Sequence, residues 1–228
     1  CIMMRSVATL VNNHNLTMSI SNDGSVYSFG YSDYGTHGRE EKVVSLPTKI
    51  LSLHHIKAIA LSEHAICLDY DGNVFTFGCN EYGQLGINLS RDSLPFTNVP
   101  QKVNLPPCKE VACGVTFSMC LLEDGLIYAF GFNEHGQLGL GNNEFCYSSP
   151  QLIQSLKDVE FIECGPVCTF CKTENNQIFC WGINTKGELG MKNVITQNTP
   201  YECKDWPGED IVDIRCGDGF TVILTSNG

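Results

Sequence analysis

Along most of this chain, apolar and polar residues alternate over short runs, and turn signals separate the runs. AICLDY from Ala65, SMCLLE from Ser118, TFCKTE from Thr169 and TVILTS from Thr221 put apolar side chains on one face, as half-buried β-strands do. They lead to Asp71-Gly72, Asp124-Gly125, Asn175-Asn176 and Asn227-Gly228, and Asp23-Gly24 precedes them all. Asp-Gly and Asn-Gly favour tight hairpins because glycine tolerates positive φ. After each complete hairpin comes a short strand with an aromatic residue just before a glycine: Phe29-Gly30, Phe77-Gly78, Phe130-Gly131 and Trp181-Gly182. A further apolar strand lies upstream, as in IKAIAL and KEVACG. Proline-marked segments downstream, LPTKI and VPQKVNL, read as a fourth, outer strand.

The pattern repeats. Hairpins start at residues 23, 71, 124, 175 and 227, at intervals of 48, 53, 51 and 52 residues. Four short strands every fifty residues or so, with turns between, predict an all-β fold of four-stranded antiparallel β-propeller blades. About 4.5 repeats then fill residues 1–228 as a single repeat domain. The glycines of the aromatic-Gly steps, Gly30, Gly78, Gly131 and Gly182, are structural. So are the loop glycines Gly83, Gly86, Gly136, Gly139, Gly187 and Gly190, where the backbone turns sharply or packs closely. Leu85, Leu138 and Leu189 hold one equivalent position and are expected to plug the gap between blades. The first copy has Thr36-His37 there, so its packing should be the least regular.

At these residues the sequence resembles the regulator of chromosome condensation repeat family. The elements are the apolar strand ending in Cys113-Gly114, the Asp124-Gly125 hairpin, the Phe130-Gly131 step and the loop from Asn133 to Gly139. The resemblance implies a propeller of seven blades, and at this repeat length the chain is expected to be part of a longer one.

Composition changes this picture little. Apolar residues make up 43% and charged residues 17%, which suits a folded, core-burying protein. Net charge is −11, with 14 scattered basic residues. That argues against direct nucleic-acid binding, which needs clustered Lys and Arg. No stretch reaches the roughly 20 apolar residues of a membrane span, and the first residues lack the features of a signal peptide.

Thirteen cysteines invite a metal or disulfide reading. The repeat register answers most of it. Cys113, Cys164 and Cys216 share one position and Cys67, Cys120 and Cys171 another. Such equivalent residues belong to separate blades and read as small buried hydrophobes in a reducing compartment, cytoplasmic or nuclear. Cys168 and Cys171 have zinc-like spacing, but an odd offset on a strand points them to opposite faces. Gly136 to Gly141 lacks the βαβ setting or the Gly-Lys-Ser/Thr of phosphate loops. His64 reads as a packing residue among six histidines that include His14. The sequons at Asn15 and at Asn88-Leu89-Ser90 are expected to be unused. No cofactor, metal or catalytic residue is assigned.

Three functions stay open. The first is a non-catalytic protein-interaction scaffold, favoured by variable stretches after each Gly-x-x-Gly and regular strands elsewhere. The resemblance implies the other two: guanine-nucleotide exchange on a Ran-type small GTPase, or a substrate-recruiting propeller of a larger ubiquitin ligase or kinase. Candidate partner contacts are the loop residues Tyr34, Tyr82, His135, Phe145 and Tyr147, with packing between blades as the competing reading.

Overall fold

A computed structural model describes residues 7–13, 15–89, 92–204, 206 and 211–227. His14, Ser90 of the second sequon and Gly228 of the last hairpin lie outside them. Eighteen strands are described. The first sheet holds β1 (Val7–Asn12), β2 (Leu16–Ser21), β3 (Val26–Tyr31) and β4 (Val43–Lys49). The second holds β5 (Ile56–Leu61), β6 (His64–Asp69), β7 (Val74–Cys79) and β8 (Phe96–Lys102). The third holds β9 (Cys108–Cys113), β10 (Phe117–Leu122), β11 (Ile127–Phe132) and β12 (Cys146–Leu152). The fourth holds β13 (Val159–Cys164), β14 (Cys168–Thr173), β15 (Ile178–Ile183) and β16 (Thr196–Glu202). A fifth sheet pairs β17 (Ile211–Cys216) with β18 (Thr221–Thr225). Each sheet is an antiparallel meander, and the first strands of successive sheets lie side by side. The chain is thus an all-β propeller of four-stranded blades.

The second strand is the most buried of the second, third and fourth sheets, and β6 and β10 are buried throughout. Phe77, Phe117, Phe130 and Trp181 are completely enclosed. One core cluster joins Leu138 of the third blade to Trp181 of the fourth. Leu85, Leu138 and Leu189 are all fully buried, and Leu138 bridges two blades as expected.

The fourth strand carries a feature that its prolines only hint at. Gly78 faces Thr97 and Thr76 faces Gln101, so Phe77 alone opposes Asn98, Val99 and Pro100. The same three-against-one bulge sets Ser148 to Pro150 against Phe130 and Asn198 to Pro200 against Trp181. Proline cannot donate to a ladder, so it falls where the ladder is already broken, on the outer strand. The bulge of one blade receives the loop of the blade before it. A Cβ on Gly83 would come within 2.6 Å of Ser148 Cα, and one on Gly136 within 2.4 Å of Asn198 Cα. Asn88 and Gly141 then donate their N–H groups to the Ser148 and Asn198 carbonyls, both at 2.8 Å.

Candidate interaction face

Every Gly-x-x-Gly loop leaves the end of a third strand and is pinned from inside. The buried Asn80 side chain donates to the Leu89 and Leu94 carbonyls at 3.1 and 2.9 Å and accepts the Leu85 N–H at 3.2 Å. Asn133 and Asn184 do the same in the next two blades, accepting from Leu138 and Leu189. In the first copy Ser32 stands there and accepts only the Thr36 N–H, at 2.8 Å. His37 fills the leucine place, completely buried, and its carbonyl accepts Ser28 Oγ as Leu85 accepts Thr76 Oγ1. The first copy differs in its polar anchors while its loop keeps the same place.

Pinned loops fix what stands on their crests. Tyr82, from the second blade, meets Phe132 at the end of β11, with ring centroids 4.9 Å apart in an edge-to-face arrangement. Phe132 also packs edge-on against Phe145 at 5.5 Å and His135 at 5.7 Å, and Tyr82 lies 5.8 Å from Phe145. Aromatic quadrupoles favour such edge contacts. Four rings from two blades thus form one cluster, with Phe145 47% exposed.

Three of the five candidate contacts, Tyr82, His135 and Phe145, therefore come together. Tyr34 stands apart, exposed at the matching position of the first loop. Cys79, then Glu81, raise its phenol pKa, with smaller contributions from burial, Glu63 and Asp33. It lines a cavity of about 840 Å³ where the loops between first and second strands converge, shared with Asn13, Glu63, Pro166 and Asp218. Tyr147 packs against the core shared by the third and fourth blades and donates its hydroxyl to Asn142 Oδ1 at 3.3 Å. Phe132, the hub of the cluster, has the sequence signature of an ordinary strand residue, and only its neighbours reveal its role.

The residues suggestive of chemistry are absorbed by packing. Cys168 and Cys171 fall into different core clusters, on opposite faces of β14. Burial pushes the Cys113 thiol up to about 12. Gly139 lies against the Trp181 indole, whose Nε1 donates to the Gln137 carbonyl at 2.9 Å. His64 is fully buried, with Nε2 2.7 Å from Ser118 Oγ. Among the described residues, no three His, Cys, Asp or Glu side chains gather as metal ligands, and no helix is long and apolar enough to cross a membrane.

The sequence pattern of the RCC1-like domain matches residues 4–228. A probable E3 ubiquitin-protein ligase, HERC4 of Mus musculus, is 35% identical over 217 residues, covering 93% of this chain and 20% of its own length. The ultraviolet-B receptor UVR8 of Arabidopsis thaliana is 31% identical over 194 residues, covering 81% of this chain and 43% of the receptor. The chain thus spans a fifth of the first of these relatives and less than half of the second. The crystal structure of yeast RCC1 (Prp20) bound to Kap60 superposes with a TM-score of 0.86 at 18% identity, covering 100% of this chain and 56% of that one.

Proposed function

This chain belongs to the RCC1-like domain family, and we propose that it is a non-catalytic interaction propeller whose protein partner docks over Tyr82, Phe132, His135 and Phe145. The observation that carries this reading is the four-ring cluster: it bridges two blades, is held by pinned loops and remains open at Phe145. Rigid aromatic groups on a surface are what binding hot spots are made of. Glu81, Glu134 and Glu144 adjoin the rings in sequence, so a partner segment with basic residues around an apolar anchor matches the surface in charge. The test compares partners captured by the chain and by a Tyr82→Ala/Phe145→Ala variant. At least a tenfold loss of the captured partner is expected from a variant that stays folded, and unchanged capture would overturn the reading.

A second reading is favoured by the HERC4 likeness over 93% of this chain: the propeller recruits substrates for a ubiquitin ligase. The same two substitutions in the whole parent protein should then lower substrate ubiquitination without lowering ligase self-modification. Nucleotide exchange on a Ran-type GTPase has less support, because the likeness to yeast RCC1 at 18% identity is one of fold. Nucleotide release from that GTPase in the presence of the parent protein tests it. A parent longer than this chain belongs to the proposal, and a native protein with an intact mass near 25.1 kDa would end that part.

A further inference from the structure

Three sulfurs meet in the fourth blade. Cys180, on β15, is completely buried. Cys203, just beyond β16, is half-buried and places its Sγ 3.2 Å from Cys180 Sγ. That is closer than sulfurs in van der Waals contact, so one thiol donates its S–H to the other. Met191 Sδ lies 3.8 Å from Cys180 on another side. The repeat does not dictate this meeting. Ser28, Thr76 and Ala129 hold the places equivalent to Cys180, and Ile50, Val103 and Ile153 those equivalent to Cys203. The equivalence of Cys203 is fixed by the backbone: its N–H bonds the Ile178 carbonyl as those of Val103 and Ile153 bond Val74 and Ile127. Among the described blades, only the fourth brings two thiols together at these positions.

We infer that Cys180 and Cys203 form a covalent modification site, an oxidisable thiol pair that reacts with a peroxide-class oxidant and closes to a disulfide within one blade. Solvent reaches Cys203 first. Its thiolate attacks one peroxide oxygen, the O–O bond breaks, and the departing hydroxide takes up a proton to leave as water. Cys203 is then a sulfenic acid. Cys180 is the resolving thiol, because the Cys203 sulfur beside it and its burial raise its pKa and keep it protonated. Its sulfur attacks the Cys203 sulfur, the S–O bond breaks, and the hydroxide released carries off the Cys180 proton as a second water. Two thiols are oxidised and one peroxide is reduced. The product ties β15 to the end of β16, on the far side of the blade from the propeller axis.

Hydrogen peroxide on the reduced protein, then alkylation, digestion and peptide mass spectrometry, tests the assignment. The expected product is one cross-linked peptide containing Cys180 and Cys203, with both thiols refractory to alkylation until reduced. Cys203→Val, which installs the residue found at Val103, should fold and lose the cross-link entirely. Cys180→Ser, matching Ser28, should arrest Cys203 as a sulfenic acid trapped by dimedone. A cross-link between other cysteines would overturn the proposal. So would sulfinic acid at Cys203 with Cys180 still alkylatable, or a Met191 sulfoxide formed while both thiols remain reduced.

Discussion

Gly136 and Gly187 hold the same place in successive loops and the same left-handed backbone, with φ of 71° and 86°, but their surroundings differ. A Cβ on Gly136 would lie 2.3 Å from Asn198 Cβ and 2.4 Å from its Cα, whereas one on Gly187 would meet nothing within 4 Å. Gly187→Ala therefore isolates the cost of a left-handed alanine, about 1–2 kcal/mol. Gly136→Ala adds a collision with the bulge backbone of the next blade and should lose roughly 3 kcal/mol or more. Urea unfolding of the two variants checks this, and equal losses would mean that the loop–bulge contact does not hold blades together. At this scale the sequence singles out ten glycines by their repeated spacing, and all ten hold positive φ. It does not reveal what they touch, since Asn198 lies 62 positions from Gly136. The thiol pair was hidden for a related reason: aligning repeats compares equivalent positions, and Cys180 and Cys203 meet at non-equivalent ones.

Successive blades are joined at one recurring junction between a second strand and the preceding loop. Ser118 on β10 donates its hydroxyl to the Gln84 carbonyl at 2.9 Å, Thr169 donates to Gln137 at 3.2 Å and Thr221 to Glu188 at 2.8 Å. The second blade has Ala65 there, and the bond is reversed: the loop residue Thr36 donates to the Glu63 carbonyl at 2.8 Å. His64 on β6 joins the Ser118 junction, and burial lowers its pKa from 6.5 to about 3. The neutral ring is thus favoured in the folded state. Its stability contribution is complete above the unfolded value of 6.5 and is lost as pH falls toward about 3. Between pH 7 and 5 the loss is about 2 kcal/mol. Burial raises Glu110 to about 7, a contribution present below its unfolded value and lost as pH rises, so it opposes the histidine slope. The difference between the wild type and His64→Phe, which copies Phe117, isolates the histidine. Denaturant unfolding at both pH values should show the acid loss shrinking in the variant, and parallel losses would place the titrating group elsewhere. Strand number, hairpins and the outer position of the Pro strands were legible from alternation and turn chemistry. The three-against-one bulge was not, because proline marks a break in the ladder without giving its register.

Across the whole molecule each blade leans on its neighbours through the same few contacts, so stability behaves as a chain of nearest-neighbour terms. Those terms are unequal. The second and third blades enclose Phe77, Phe117 and Phe130 completely, while Val222 and Leu224 on β18 remain 56% and 48% exposed. The fourth and fifth sheets are linked by Arg215 to Glu163 and Lys186 to Asp218, both at 3.0 Å. Each pair has a largely exposed partner, a setting in which ion pairs contribute less than about 1 kcal/mol. Lys172 Nζ adds a bond to the Ile211 carbonyl at 3.3 Å. In the 228-residue chain by itself, where the fifth sheet has two strands, local opening should therefore begin at β17–β18 and reach β9–β12 only with global unfolding. Hydrogen exchange read by mass spectrometry is expected to show amides of β17 and β18 exchanging at least a hundredfold faster than those of β10 and β11. Uniform protection would instead mean that the blades open as one unit. The ring cluster of Tyr82, Phe132, His135 and Phe145 sits over the junction of the second and third blades, where a shared core encloses Phe130 completely. A partner docking there meets a surface already held rigid, so the ordering cost of binding is small.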